Sequence, residues 1–156
     1  MQKRIVNFIK KHYLCSISCC DGNRPWSNAI YYVFDEKQEC LIYITTDSTY
    51  HAQVMCQNPY VSGVIAMPTR FIPSLQGVQF TGIAKKLEGE EAEAALRFFK
   101  KSFSHHMIDP LSVWAIDLEY IKLTDRSLGL YGKVEWHKGE EYEEVEDNIF
   151  AQYDQQ

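Results

Sequence analysis

The sequence predicts a small α+β domain, a barrel or sandwich of about six antiparallel strands accompanied by three short helices. Two observations predict this fold class. Runs of β-branched and aromatic residues are short and are separated by turn signals, which is typical of strands joined in hairpins. Among these runs lie three segments with the spacing of amphipathic helices, and we find no internal repeat.

The first third of the chain predicts one helix followed by strands. Residues 2–12, QKRIVNFIKKH, place apolar side chains opposite a basic side and predict a helix. Asp21-Gly22-Asn23 predicts a tight turn between two strands. The runs at residues 27–35 and 40–46 are rich in β-branched and aromatic residues. These runs and the strand before the turn together predict an antiparallel meander.

The rest of the chain adds two helices and three long strands. Ser48 and Thr49 are candidate caps for a helix that stops at Asn58-Pro59. A second helix is predicted at residues 90–104, with Ala92, Ala95, Phe99 and Phe103 on one stripe. Strands are predicted at residues 60–68, 77–89 and 113–125. Two glycines in the second of them, Gly77 and Gly82, indicate either a bulge or a close approach of another group to the backbone.

The charge of the chain is unevenly distributed. Of 156 residues, 46% are hydrophobic, which is too many for a disordered chain. The formal net charge of -5 excludes broad nucleic-acid binding, which needs an excess of Lys and Arg. Seven of the 21 acids lie after His137, so residues 1–137 carry 15 bases and 14 acids. We therefore expect a near-neutral domain at residues 1–137 and an acidic tail at residues 138–156.

The cysteines predict neither a disulfide framework nor a metal site. Five cysteines are an odd number, and their C-x3-C-C spacing differs from that of zinc ligands. In a strand from Tyr13 to Cys20, the side chains of Tyr13, Cys15, Ile17 and Cys19 share one buried face. His105-His106 cannot share one ion on a helix. With no secretory signal and no apolar membrane span, we expect a cytoplasmic protein.

The strongest candidate for a binding site is the predicted strand–turn–helix at residues 42–53, IYITTDSTYHAQ. Hydroxyl groups before a helix, together with its free backbone N–H groups, suit a phosphate. Thr45, Thr46, Ser48 and Thr49 offer neutral donors, and His51 adds charge when it is protonated. The alternative is that these hydroxyls only cap the helix. The sequence contains no nucleophile elbow, HExxH motif, Walker loop or GxGxxG motif, so the common catalytic signatures are missing.

Several sequence strings and their order resemble the FMN-binding split barrels, which are relatives of pyridoxamine 5'-phosphate oxidase. The resemblance extends from about Ile5 to Trp136. The strings that carry it are Arg24-Pro25-Trp26, Tyr31-Tyr32, IYITT (42–46), Asn58-Pro59, GVQFTG (77–82), LEGEEAEA (87–94), WAIDL (114–118) and IKLTDRSLGLYGK (121–133).

This resemblance implies a six-stranded antiparallel split β-barrel with flanking short helices. It further implies a homodimer that binds FMN in two grooves between the subunits. The phosphate would lie at the strand-to-helix turn, where Tyr50-His51 replaces a common Arg-Lys pair. The ring system would lie near the second strand, and the second subunit would contribute from around Gly129–Trp136. The residues assigned to the cofactor in this way are Asn28, Ala29, Thr45, Thr46, Thr49, His51, Gln79 and Lys133.

The function implied is a flavin-dependent oxidoreductase acting on an unidentified small molecule. We find no pair of basic substrate-binding residues near the C-terminus, so pyridoxamine phosphate oxidation itself is not expected. One alternative is a binding module without enzymatic activity, which holds haem, another flat ligand or nothing. His51, His105 or His106 would then be the axial ligand. Another is a structural dimer whose acidic tail docks a partner.

Overall fold

The computed structural model describes residues 1–103, 111–126 and 132–140. His105, His106, Gly129 and most of the acidic tail therefore lie outside the described residues. The helices are α1 (Lys3–Lys11), α2 (Tyr50–Gln57) and α3 (Gly89–Ser102), with a short 3-10 helix at Ile72–Ser74. The strands are β1 (Leu14–Asp21), β2 (Arg24–Tyr31), β3 (Val33–Asp35), β4 (Cys40–Thr45), β5 (Tyr60–Ala66), β6 (Gln76–Lys86), β7 (Ser112–Asp125) and β8 (Lys133–His137).

The strands form one antiparallel sheet that curls into a barrel. Its order is β2-β1-β5-β6-β7-β4-β3, with β8 paired to the far end of β7. β2 and β3 stand at opposite ends of this path, yet only Tyr32 separates them in the chain. The two ends of the path must therefore meet. Counted as one strand interrupted at Tyr32, β2 and β3 complete a six-stranded split barrel, to which β8 is an addition.

The predicted meander is confirmed in both of its hairpins, since β1 pairs with β2 across the turn at Asp21-Gly22-Asn23 and β3 pairs with β4. Its middle run, predicted as one strand, is divided at Tyr32 into β2 and β3. On its other edge β4 pairs with β7. Pairing between strands about 70 residues apart in the chain thus decides the sheet order. At the break between β2 and β3, Tyr32 is fully buried, and its hydroxyl donates a 2.9 Å hydrogen bond to the carbonyl oxygen of Ile9 in α1.

Two apolar layers pack on the sheet. The barrel interior is filled by alternate strand residues such as Ile17, Trp114, Ile116 and Leu118, and is closed by apolar residues of α1 and α2. The predicted alternation along β7 is confirmed. A second layer lies between α3 and the outer side of β4 and β7, and it contains Val33, Cys40, Ile42, Leu87, Ala95, Phe99 and Val113. Ala92 and Phe103 are only partly buried against this layer.

The predicted bulge lies at Gly82, where the pairing of β6 with β7 shifts by one residue. A Cβ at Gly82 would lie 2.5 Å from the carbonyl oxygen of Asp117, so only glycine lets β7 approach this closely. Because of this shift, a different set of alternate residues of β7 points inward on each side of the bulge. Leu118 points inward before the bulge, and Ile121 does so after it.

The five cysteines are all free, and no helix in the described part of the chain is long and apolar enough to cross a membrane. Cys15 and Cys19 are buried inside the barrel as predicted, whereas Tyr13 precedes β1 and is 61% exposed, so its placement on that face was wrong. Cys19 and Cys20 point to opposite faces of β1. Within the described ranges, no group of three His, Cys, Asp or Glu side chains could hold a metal ion.

This arrangement predicts the number of reactive thiols. Cys20 and Cys56 are exposed, while Cys15, Cys19 and Cys40 are buried. Burial also raises the pKa of Cys15 and of Cys40 to about 12, which removes the reactive thiolate. We expect no more than two thiols, those of Cys20 and Cys56, to react quickly with a disulfide reagent in the native protein and all five in denaturant. Fast reaction of four or five native thiols would contradict the barrel described above.

Candidate functional site

The turn between β4 and α2 brings together the polar side chains that the sequence singled out there. Thr45 ends β4 with only 8% of its surface exposed. Its Oγ1 lies 2.9 Å from Nε2 of His51 and 3.3 Å from Oγ1 of Thr49. Oγ1 of Thr49 is also 3.3 Å from Nε2 of His51. Two hydroxyls and one imidazole therefore form a compact, partly buried cluster, which we call the Thr45–His51 cluster.

The helix that follows has no side-chain cap. Thr49 occupies the N-cap position as predicted, but its hydroxyl donates a 2.8 Å hydrogen bond to the carbonyl oxygen of Thr46. Ser48 is exposed, and its hydroxyl reaches only Oγ1 of Thr46, at 3.4 Å. The explanation of these hydroxyls as ordinary caps is thus wrong for Thr49. Among the residues that the structure describes, no side chain accepts a hydrogen bond from the backbone N–H groups of the first turn of α2, which suits an anion.

The surroundings of His51 favour the neutral imidazole over the protonated one. Its partial burial lowers the pKa of the imidazole from the usual value, because burial penalises the charged form. The neutral ring can donate or accept at Nε2, depending on its tautomer. An anion at the cluster would favour the protonated ring and would raise the pKa again.

A charged pair adjoins the cluster, and the sequence did not predict it. Asp47 lies two residues after Thr45, and its Oδ2 accepts a 2.7 Å hydrogen bond from Nζ of Lys86. Its Oδ1 accepts a 2.5 Å hydrogen bond from the hydroxyl of Ser112. The pKa of Asp47 is lowered by the bond from Lys86 and then by that from Ser112, while the bond to Asp47 raises the pKa of Lys86. Only the pairing of β6, β7 and β4 brings these residues together, and no local sequence signal indicates it.

The start of α2 is fastened to the β1–β2 hairpin. The hydroxyl of Tyr50 donates a 2.8 Å hydrogen bond to Oδ2 of Asp21, which raises the pKa of the tyrosine. Its ring meets that of Trp26 edge to face, with centroids 5.2 Å apart. At the other end of α2, Nδ2 of Asn58 donates to the carbonyl oxygen of Cys20 at 3.0 Å. These contacts place the aromatic ring of Trp26 beside the helix that carries His51.

Asn28 and Ala29 lie next to each other on β2 but on opposite faces. Asn28 points toward the barrel and is half-buried, and its Oδ1 is buried with no hydrogen-bond partner in the described chain. Ala29 is exposed on the outer face of the sheet. Asn28 thus presents an unsatisfied acceptor, which costs free energy unless a donor is supplied.

Gln79 and Lys133 lie far from the Thr45–His51 cluster within one protomer. Gln79 is exposed on β6, seven residues before Lys86, which corresponds to about 23 Å along the strand. It shares a cross-strand row of the outer face with Ala29, through the pairs Ala29–Ser16, Ser16–Val64 and Val64–Gln79. Lys133 pairs with Thr124 near the far end of β7. One protomer therefore assembles Thr45, Thr46, Thr49 and His51, but neither Gln79 nor Lys133 reaches them.

Comparison with known proteins identifies the class. The family model described as pyridoxamine 5'-phosphate oxidase matches residues 1–125, which include every strand of the barrel and the Thr45–His51 cluster. The chain therefore belongs to the pyridoxamine 5'-phosphate oxidase family.

Individual proteins resemble this chain in sequence or in structure. The chain is 53% identical over 146 residues to a UPF0306 protein of Pasteurella multocida, covering 94% of this chain and 98% of the relative. Among solved structures, an FAD-binding protein of Mesorhizobium loti is similar with a TM-score of 0.65 and 16% identity, over 76% and 87% of the two chains. The haem storage protein HutZ of Vibrio cholerae gives 0.63 and 14%, over 76% and 89%. At these identities the two structures show the shared fold alone.

Proposed function

We propose that this protein is a cytoplasmic homodimeric flavoprotein that binds FMN and acts as an oxidoreductase on a small molecule. The observation that carries the proposal is the Thr45–His51 cluster at the uncapped start of α2. It combines hydroxyl donors, backbone N–H groups and a histidine that an anion would protonate, which is the chemistry a phosphate group requires.

The residues present fit FMN in two respects. Thr45, Thr46, Thr49 and His51 would hold the phosphate. Asn28 would hold the ring system, because its unsatisfied Oδ1 can accept a hydrogen bond from a ring N–H. Bound FMN would supply the redox chemistry, and this chain would supply orientation and electrostatics. The absence of an acid–base constellation in the sequence is consistent with that division of roles.

The outer face of the sheet supports the proposed dimer. The outward-pointing residues of β1, β2 and β5, three strands that the structure describes in full, include no charged side chain. They are Leu14, Ser16, Ser18, Cys20, Pro25, Ser27, Ala29, Tyr31, Tyr60, Ser62, Val64 and Ala66. Depletion of charge is typical of the core of an interface. Gln79 lies on the same face, so pairing of two such faces would place Gln79 at the subunit boundary. The resemblance expects Lys133 of the second subunit to contribute to the cofactor at the same boundary.

The proposal is tested by adding FMN to purified protein and separating bound from free flavin by gel filtration. We expect protein and flavin absorbance to co-elute at the volume of a dimer. The matched control is Lys85→Gln, which removes a surface ion pair with Glu91 of α3 and should bind FMN normally. Colourless protein after incubation with micromolar FMN would contradict the proposal.

The affinity for FMN should depend on pH through His51. Burial lowers the pKa of the free imidazole and a bound phosphate raises it, so binding takes up a proton. Affinity should therefore fall as pH rises through the pKa of His51 in the complex. Below about pH 6 the phosphate itself becomes protonated and the gain ends. Fluorescence titrations should be made between about pH 6 and the pKa of His51 in the complex. In this range the affinity for FMN should decline more steeply with pH for the wild type than for His51→Gln. Equal slopes would exclude His51 from the site.

Haem is the second candidate, and the described residues favour it less. Nε2 of His51 already lies within hydrogen-bond distance of Thr45 and Thr49, so axial ligation through that atom would break both contacts. If the protein does not bind FMN and instead shows a haem-type absorption band that is lost in His51→Gln, haem becomes the better-supported ligand.

A further inference from the structure

The ion pair between Asp47 and Lys86 adjoins the Thr45–His51 cluster without belonging to it. Lys86 ends β6, Ser112 begins β7 and Thr45 ends β4, and all three lie at the same end of the sheet. Thr45 pairs with Ser112, and Lys86 pairs with Trp114 two residues further along β7. Asp47 follows Thr45 in the turn and bridges the other two strands through its carboxylate. Both charges therefore lie beside the hydroxyls that would meet a phosphate.

These two charges act on a bound anion in opposite directions. A carboxylate two residues from Thr45 repels a phosphate, whereas the ammonium of Lys86 attracts it. Bonded together, they contribute little net charge to the cluster. Both side chains are partly exposed, so solvent and salt reduce these interactions without removing them. The sequence has no Arg-Lys pair at the start of α2, which leaves Lys86 as the fixed cation that the described contacts place against this turn.

We propose that Lys86 and Asp47 set the anion affinity of the Thr45–His51 cluster, with Lys86 supplying its positive charge and Asp47 limiting that charge. This inference rests on the proposed function, because the anion it concerns is the phosphate of FMN. It also assigns a selectivity: the pair determines how strongly the protein prefers a phosphorylated flavin to riboflavin, which has the same ring system and no phosphate.

The proposal makes predictions of opposite sign for the two partners. Lys86→Gln leaves the negative charge of Asp47 without its counter-charge beside the cluster and should weaken FMN binding about fivefold at low salt. Asp47→Asn keeps a similar shape and an acceptor for Ser112, and it should tighten FMN binding by a comparable factor. Lys86→Arg, which keeps the charge, should bind FMN nearly as well as the wild type. A purely structural clamp would behave differently, because breaking it from either side would weaken binding.

The experiment is a fluorescence titration of each variant with FMN and with riboflavin. Riboflavin affinity should not change in any variant, which also shows that the variants are folded. Lys85→Gln, on the neighbouring residue, should match the wild type with both flavins. If Asp47→Asn weakens FMN binding, or if Lys86→Gln leaves it unchanged while the wild type binds FMN, the inference is overturned and the proposed function stands. If the wild type binds neither flavin, both are overturned.

Discussion

Replacing Thr45 by valine is expected to weaken FMN binding by about tenfold to a hundredfold. Valine has the shape of threonine, so the barrel end stays filled while the central hydroxyl of the cluster is lost. That hydroxyl lies 2.9 Å from Nε2 of His51 and 3.3 Å from the hydroxyl of Thr49. Without it, one donor to the phosphate disappears and the imidazole loses the contact that orients it.

The measurement is a parallel titration of Thr45→Val with FMN and riboflavin. Riboflavin affinity should stay close to that of the wild type, because the substitution acts on the phosphate end of the ligand. Thr69→Val is the matched control, since it removes a hydroxyl from the exposed loop between β5 and β6. An equal loss of affinity for both flavins would show that Thr45 acts on overall stability or on the ring system and would remove it from the phosphate site.

Replacing Gly82 by alanine should destabilise the barrel by about 3 kcal/mol, at the upper end of what overpacking usually costs. The added Cβ would lie 2.5 Å from the carbonyl oxygen of Asp117 and 2.8 Å from Cγ2 of Ile116. The first of these atoms belongs to the backbone of the neighbouring strand and cannot rotate away. Relief therefore requires β6 and β7 to separate at the bulge, where both strands run through the centre of the sheet.

Gly77→Ala is the matched control on the same strand. Its added Cβ would be 3.3 Å from the carbonyl oxygen of Ile65, a contact that a small shift relieves. We expect that substitution to change the free energy of unfolding by no more than about 1 kcal/mol. Urea denaturation of both variants measures the difference, and equal stability of Gly82→Ala and Gly77→Ala would contradict the close approach of β7 to Gly82.

The elements that depend on nearby residues were predictable from the sequence. The three helices, the turn around Gly22 and the bulge at Gly82 follow from spacing, turn chemistry and glycine. The break between β2 and β3 at Tyr32 was not predictable. An uninterrupted run of β-type residues cannot reveal that the chain passes there from one end of the sheet order to the other. Tyr13 was misplaced for a related reason: alternation predicts which face a residue takes but not where a strand begins.

In the candidate site too, contacts within one short segment were predictable and contacts between distant strands were not. Thr45, Thr49 and His51 lie within seven residues, so their contact follows from one strand–turn–helix. The partnership of Asp47 with Lys86 and Ser112 spans 39 and 65 residues of chain and depends on the pairing of three strands. Gln79 and Lys133 both lie far from the cluster within one protomer, and this separation follows from the sheet order, which the sequence alone could not show.

A crystal structure of the protein with FMN tests the central claim most directly, because it locates the phosphate. We predict that phosphate oxygens lie within hydrogen-bond distance of the hydroxyls of Thr45 and Thr49, the imidazole of His51 and the first backbone N–H groups of α2. We also predict that the ring system lies beside Asn28 at the boundary of two protomers. A phosphate that contacts none of the residues of the Thr45–His51 cluster would contradict the account.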